Sequence, residues 1–180
     1  MNKTLLSAAL IAGFGVAALA PQTAKAVDGT INITGNITAS TCKINGVDSP
    51  ATIAVTLPTV STTSLNAAAA VAGRTPFAIA LSECGALTKA ATFFEPGPTV
   101  MADGNLTNAT GTATGVEVQL LNAADFSAIA LNGASGSQNS TQATLTDGAG
   151  TLSYYAQYYA TAAAGAGTVA TSVQFTMLYQ

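Results

Sequence analysis

The sequence predicts an all-β sandwich, on three observations. Short apolar or alternating segments recur between turn-forming residues along the chain. No segment carries an apolar stripe at helical spacing with capping residues at both ends. Asn132-Gly133 and Asp147-Gly148 each follow an apolar or alternating segment, and such pairs favour tight turns. All three observations favour strands over helices.

The predicted strands follow one another in chain order, each identified by alternation or by a short apolar run. They are Val27–Thr41, Thr52–Leu57 ending at Pro58, Phe77–Leu81 alternating into Cys84, Ala91–Phe94, Val116–Leu120, the looser Phe126–Leu131, Gln142–Thr146, Thr151–Thr161, and a final strand after Gly167 that runs to Gln180. Two alanine-rich stretches are exceptions: Leu65–Ala72 is predicted as a small helical excursion or loop, and Ala160–Ala166 as a connection. The four tyrosines of Thr151–Thr161 could form a ligand platform, but their spacing is more typical of a half-buried strand.

The first residues predict a secretory signal. Lys3 supplies the positive start, Leu5–Ala20 forms an apolar run, and Ala24–Ala26 offers a small-residue cleavage site. A membrane span is the alternative, but the run contains two glycines and stops at Pro21. Cleavage would leave 180 − 26 = 154 residues beginning at Val27, enough for one domain with a core of its own.

Composition limits the partners of the mature chain. Three basic residues stand against eight acidic ones, so the formal charge is 3 − 8 = −5. No basic patch is present to neutralise a phosphate backbone, and we expect no nucleic-acid partner. The two cysteines, Cys42 and Cys84, predict a disulfide because an even pair in an exported chain is most simply bridged. Free thiols or a metal site are the alternatives, and two thiols without any histidine make a poor metal site.

The sequence gives little support to an enzyme. A Ser-His-Asp or Cys-His mechanism needs an imidazole, and the chain contains no histidine. Carboxylate chemistry stays formally open, because Glu83, Glu95, Asp103 and Glu117 could approach one another in space. Scattered acids on a secreted β-domain are usually solvated, and no glycine-rich phosphate loop follows a strand and opens a helix. We therefore expect no catalysis, no cofactor and no metal.

Two alternating strands lie at opposite ends of the mature chain. Ile31, Ile33, Gly35 and Ile37 alternate with polar residues near the start, and a second alternating series occupies the C-terminus. The first strand has no obvious partner. It could pair within its own chain, as in an ordinary secreted sandwich, or it could lie in a groove of a neighbouring copy, which would make the protein a polymer subunit.

The order of several motifs resembles one known family. These motifs are the signal, the early Ile-x-Ile-x-Gly-x-Ile strand, Cys42, the Phe-x-Ile-x-Leu-x-x-Cys pattern ending at Cys84, the tyrosine-rich strand, and the terminal Phe-Thr-Met-Leu-Tyr-Gln. Together they resemble a type 1 fimbrial major subunit, a pilin of the chaperone-usher pathway. The resemblance covers essentially all of the mature chain.

The resemblance implies a fold and a way of assembling. Family members have an incomplete immunoglobulin-like sandwich that lacks its last strand, which leaves a hydrophobic groove beside the C-terminal strand. A periplasmic chaperone fills the groove first, and the N-terminal extension of the next subunit replaces it at the outer-membrane usher, an example of β-augmentation. The implied organisation is a signal peptide at 1–26, a donor-strand extension at 27–41 and a pilin domain at 42–180. The implied product is a homopolymer, exported through the periplasm to the cell surface, with no membrane insertion after signal cleavage.

The family pattern also assigns residues. The implied donor positions are Gly29, Ile31, Ile33, Gly35 and Ile37, with the glycine at the fourth of five pocket-facing positions and Ile37 as the first contact during exchange. The implied groove and chaperone-contact strand contains Gly167, Val173, Phe175, Met177 and Tyr179, with the glycine fourteenth from the end and the tyrosine penultimate. The first alternative is a minor or tip-associated pilin. A self-contained secreted binding module is a less favoured one. A tip adhesin would need an additional lectin domain, for which 154 residues leave no room.

Overall fold

Residues 30–35 and 42–180 are described by a computed structural model. The chain divides into two units between Ile37 and Thr38. The second unit contains a short 3-10 helix, Thr62–Leu65, and these strands: β1 Lys43–Ile44, β2 Val71–Ser82, β3 Lys89–Phe94, β4 Leu106–Thr107, β5 Val116–Asn122, β6 Gln142–Thr144, β7 Gly150–Ala160 and β8 Phe175–Tyr179. Within the described residues, no helix is long and apolar enough to cross a membrane.

The larger sheet has five antiparallel strands in the order β1-β2-β7-β5-β4. Its centre forms because β2, β5 and β7 alternate in sequence and direct one face of each strand inward. Ile79 of β2 lies opposite Leu152 of β7, and these side chains are 1% and 2% exposed. The predicted strands at Phe77–Leu81, Val116–Leu120 and Thr151–Thr161 are therefore confirmed, and the predicted all-β fold is confirmed with them.

The smaller sheet has three antiparallel strands in the order β6-β3-β8. Its inner face packs on the larger sheet, with Phe94 of β3 meeting the ring of Tyr154 of β7 edge to face at 5.5 Å. The Tyr154 hydroxyl donates to Thr92 Oγ1 at 3.0 Å, so this fully buried phenol is hydrogen-bonded. The core of the domain lies between the two sheets.

A buried glutamine substitutes for a missing strand partner beside β3. The backbone N–H of Phe94 donates to Gln138 Oε1 at 2.9 Å, and Gln138 Nε2 donates to the Phe94 carbonyl at 2.6 Å. One side chain thus satisfies both backbone groups of Phe94, which would otherwise be buried without partners.

One predicted strand is wrong, and another is only partly described. Thr52–Leu57 has the predicted alternation but belongs to no sheet, because no described strand pairs with it. The described part of Val27–Thr41, residues 30–35, has no regular secondary structure, and the rest of that prediction lies outside the described residues. The described residues of both segments carry a strand pattern without a ladder partner elsewhere in residues 30–35 and 42–180.

Other boundaries also differ from the prediction. Of Leu65–Ala72, only the first residue is helical, and β2 already begins at Val71 because it pairs there with Tyr159. The predicted Phe126–Leu131 strand is wrong: Phe126 has φ +58° and is 47% exposed, although the end of the segment is buried. Aromatic side chains rarely adopt a positive φ, so sequence alone gave no warning of this turn.

The predicted disulfide is present. Cys42 and Cys84 are joined with an S–S distance of 2.03 Å, and both side chains are buried. Lys43 Nζ donates to Glu83 Oε1 at 2.7 Å beside the bridge. The bridge therefore ties the start of the domain to the end of β2.

Candidate functional site

A large groove opens between the two sheets. Its volume is about 1460 Å³, and its floor is formed by inward side chains of the larger sheet, among them Phe77, Ile79, Val118 and Leu120. One wall is residues 51–57, and the other is residues 169–179, which run into β8. The groove is therefore an opening into the hydrophobic core itself.

The C-terminal wall directs alternate side chains into the groove. The inward positions are Val169, Thr171, Val173, Phe175, Met177 and Tyr179, and all six are only half-buried. The backbone groups of the intervening residues are hydrogen-bonded on the side away from the groove. The N–H of Glu95 donates to the Gln174 carbonyl at 2.8 Å, and the N–H of Ala109 donates to the Ala170 carbonyl at 2.9 Å. Since ladder bonds on one side of a strand come from alternate residues, the N–H and C=O groups of the six inward residues face the groove.

The opposite wall has the same character. Ala51, Ile53, Val55 and Leu57 are half-buried against the core and alternate with exposed residues. No backbone hydrogen bond joins residues 51–57 to any other part of 30–35 or 42–180. This wall is extended, apolar on one face and unpaired.

The groove is suited to accept one extended strand, because both of its edges lack a backbone partner among the described residues. Unpaired N–H and C=O groups along an edge are a template for another strand, and the half-buried side chains need cover. Sequence analysis missed residues 51–57 as a wall of the groove. The signal was the period-two pattern of that segment, which correctly located an apolar face but wrongly implied a strand already paired.

Tyr179, singled out in the sequence, lies at the end of the C-terminal wall, whereas Gly167 lies two residues before the wall begins and does not line the groove. A Cβ at Gly167 would clash with the backbone nitrogen of Ala113, so the close approach of two backbones there requires glycine. Burial raises the pKa of the Tyr179 phenol, an effect that the backbone of Cys42 partly offsets by hydrogen bonding. Cys42, the first residue of the described domain, is thus near the Tyr179 end of the wall.

The predicted donor residues are only partly described. The side chains of Ile31 and Ile33 are 88% and 89% exposed, and no atom outside the local chain lies within 4 Å of a Cβ built on Gly35. Gly29 and Ile37 lie outside the described residues. Burying a large apolar side chain is favourable, so Ile31 and Ile33 would gain free energy by packing against another surface.

Two of the four acids singled out in the sequence come together, away from the groove. Glu117 is buried, and its Oε2 atom has no hydrogen-bond partner among the described residues. Burial raises the pKa of Glu117, and the charge of neighbouring Asp103 and a hydrogen bond between the two carboxyl groups raise it further. Asn105 Nδ2 donates to Asp103 Oδ2 at 2.9 Å and positions that carboxylate. The two residues lie at the edge of the larger sheet, beside β4.

The other two acids have separate partners. Glu83 is bonded to Lys43, and Glu95 Oε1 accepts a hydrogen bond from Thr176 Oγ1 at 2.6 Å. The described residues contain no cluster of three or more His, Cys, Asp or Glu side chains placed to hold a metal ion. The tyrosines of β7 divide as the half-buried interpretation predicts, with Tyr154 in the core and Tyr155 half-buried on the other face.

Comparisons with known proteins agree with the fold. Residues 57–180 match the family model of the type-1 fimbrial protein, A. The chain is 47% identical over 171 residues to the major fimbrial subunit SMF-1 of Stenotrophomonas maltophilia (strain K279a), covering 90% of this chain and 98% of that protein. It is 41% identical over 174 residues to the F17 fimbrial protein of Escherichia coli, covering 92% and 96%.

A solved structure supports the same fold. The P pilus rod subunit PapA matches with a TM-score of 0.58 over 77% of this chain and 99% of that chain, at 21% identity. At that identity the likeness bears on the fold alone, which is an immunoglobulin-like pilin sandwich short of one strand. With the family model covering more than half of the sequence, the chain belongs to the type-1 fimbrial protein family and is a structural subunit of a bacterial surface fimbria.

Proposed function

We propose that this chain is the major subunit of its fimbria and polymerises by donor-strand exchange. The extension 27–41 of one copy fills the groove of the next, with its backbone paired to residues 51–57 on one side and to residues 169–179 on the other. The smaller sheet then has five strands instead of three. The observation that carries this proposal is the groove itself, an opening into the core whose two edges have no ladder partner within residues 30–35 and 42–180.

The pattern of the extension fits this groove. Burying the isoleucines Ile31, Ile33 and Ile37 would contribute about 1.5 to 3 kcal/mol each. Each new ladder hydrogen bond would add about 1 kcal/mol. A one-residue slip would turn all three isoleucines outward, so the alternation also specifies the register.

Geometry makes the assembly open-ended. The donor segment and the acceptor groove are different surfaces of one chain, so each contact is head-to-tail. Head-to-tail contacts that do not close into a ring produce filaments. The role is therefore mechanical: the fibre supports adhesion at a distance from the cell, and its lifetime depends on slow strand release.

Before assembly, the groove needs another cover. An exposed apolar groove with free strand edges is prone to aggregation, which accounts for a periplasmic chaperone that lends a strand and for an outer-membrane usher where the exchange takes place. This scheme uses no catalytic residue of the chain, no cofactor and no nucleic acid.

A pair of neighbouring substitutions tests the proposal. Ile33→Asp places a charge at a pocket-facing position, whereas Thr34→Asp places the same charge on the opposite face of the same segment. We expect Ile33→Asp to abolish fibres in electron micrographs and SDS-resistant ladders in heated samples, with monomer remaining in the periplasm. Thr34→Asp should assemble. If both variants assemble equally, or if the wild type stays monomeric with its secretion partners present, donor exchange is wrong and a self-contained binding module remains.

A further inference from the structure

One polar side chain interrupts the apolar row of the C-terminal wall. Thr171 stands between Val169 and Val173 at an inward position. Its Oγ1 atom is shielded from solvent and has no hydrogen-bond partner within the described part of the chain. A buried hydroxyl without a partner destabilises a fold, because its hydration is lost and nothing replaces it. A valine of the same shape would avoid this cost.

The spacing of the predicted donor allows only four registers on this wall. Five pocket-facing donor positions, separated by two residues, fit on the six inward wall positions in two ways for each strand direction. In one antiparallel register Ile37 lies opposite Thr171, and in one parallel register Ile31 does. Either isoleucine would cover the hydroxyl with hydrocarbon and leave it unpaired.

The remaining two registers both place a glycine opposite Thr171. The antiparallel one brings Gly35 there, and the parallel one brings Gly29. Both put the pair Ile31 and Ile33 against Val173 and Phe175, because the inward face of the donor has a glycine on each side of this isoleucine pair.

We propose that Thr171 selects the register of the incoming donor strand by hydrogen bonding to the backbone of a donor glycine. This inference rests on the proposed donor exchange and adds to it the residue that discriminates between registers. A backbone carbonyl has two lone pairs, so the carbonyl of the glycine can accept one ladder bond and one bond from the threonine hydroxyl. Glycine leaves the space above the hydroxyl free, and rotation about Cα–Cβ brings Oγ1 to one of three staggered positions.

Binding of a synthetic donor peptide tests this proposal. The acceptor is the full chain carrying Ile33→Asp, which disables its own extension, and the donor is a labelled peptide of residues 28–40. Hydrophobicity alone predicts that Thr171→Val would tighten binding in an apolar groove. We expect the opposite, a weakening of roughly two- to tenfold, which corresponds to the loss of one net hydrogen bond. Thr171→Ser, which keeps the hydroxyl, should stay nearer to the parent affinity.

Two controls assign the partner. Val173→Thr introduces a hydroxyl opposite an isoleucine and should weaken binding, so a hydroxyl would help at 171 and harm at 173. Peptides with Gly35→Ala or Gly29→Ala identify the glycine. Alanine at the position opposite Thr171 should weaken binding to the parent acceptor, and this weakening should disappear with the Thr171→Val acceptor. Alanine at the other position should have the same effect on both acceptors. Sensitivity at Gly35 indicates an antiparallel donor, and sensitivity at Gly29 a parallel one.

The outcomes separate the two proposals. The role of Thr171 is overturned if the Thr171→Val acceptor binds the peptide as tightly as the parent or more tightly. It is also overturned if neither glycine substitution is coupled to Thr171→Val. Donor exchange stands in both cases. If the parent acceptor does not bind the peptide at all, donor exchange itself is overturned. Fibres provide a second measurement that needs no isolated subunit: Thr171→Val ladders should dissociate at a lower temperature than wild-type ladders, and equal or greater resistance would contradict the proposal.

Discussion

The centre of the five-stranded sheet and the walls of the groove are built from the same kind of sequence but differ in burial. Ile79 and Leu152 face each other in the large sheet and are almost fully buried. Ile53 and Val173, on the two walls, are equally apolar and follow the same period of two, yet they stay half-buried. The difference shows that alternation identifies the apolar face of a strand, but not the chain that supplies its cover.

Loss of the disulfide should lower the stability of the fully buried region more than any other change considered. Replacing both Cys42 and Cys84 by serine opens a loop with a sequence separation of 42 residues. In the chain-entropy model this costs about 4 kcal/mol of unfolding free energy. Urea denaturation of oxidised wild type and the double serine variant measures the difference. A loss well below 1 kcal/mol would mean that the sheet holds the start of the domain without the bridge.

Matched truncations compare the two regions directly. Leu152→Ala creates a cavity in the closed core and should lower the unfolding free energy of the subunit by about 3 kcal/mol. Val173→Ala removes a half-covered side chain and should cost the free subunit only about 1 kcal/mol. In the fibre, where the donor would cover this wall, the second substitution should cost more. Denaturation of the subunit and thermal dissociation of fibres test both expectations, and equal losses for Val173→Ala in the two states would contradict the covered groove.

The smallest effect concerns pH and the buried carboxyl at the sheet edge. Because the pKa of Glu117 is raised in the folded chain, this group favours folding most below its ordinary value of 4.5, and that contribution is lost as pH rises through the raised pKa. Glu117→Gln should therefore raise the melting temperature at pH 7, by about 2 to 4 °C per kcal/mol, and give no gain near pH 4. Asp147→Asn makes the same change of a carboxylate to an amide at an exposed position and is the matched control. A loss of stability at pH 7 would show that the ionised carboxylate is needed.

Sequence reasoning succeeded where local pattern decides structure. The strands containing Ile79, Val118 and Leu152 were predictable because they alternate with a period of two and pair with other strands of the same chain. The disulfide was predictable from the predicted export and the even number of cysteines. The prediction of a strand at residues 52–57 was wrong in the isolated chain because a strand also needs a partner, which the sequence of one subunit does not reveal.

Contacts between distant residues were beyond the reach of pattern. Gln138 completes the backbone pairing of Phe94 across 44 positions, and Asp103 meets Glu117 through the packing of a loop on a sheet edge. Thr171 was visible as a polar residue in an alternating series, but only the packed structure shows that its hydroxyl has no partner among the described residues. Such features depend on tertiary geometry more than on local propensity.

The bridge between Cys42 and Cys84 also determines how a fibre would carry tension. A pull on the extension enters the domain at Cys42, immediately before β1, which has only two residues. Two residues of ladder hydrogen bonding would yield easily under load, whereas the covalent bridge passes the force directly to the end of β2, a twelve-residue strand in the large sheet. In a fibre strained by flow, the weak point would then be the borrowed strand in its groove, and each domain would stay folded while its neighbours are pulled apart.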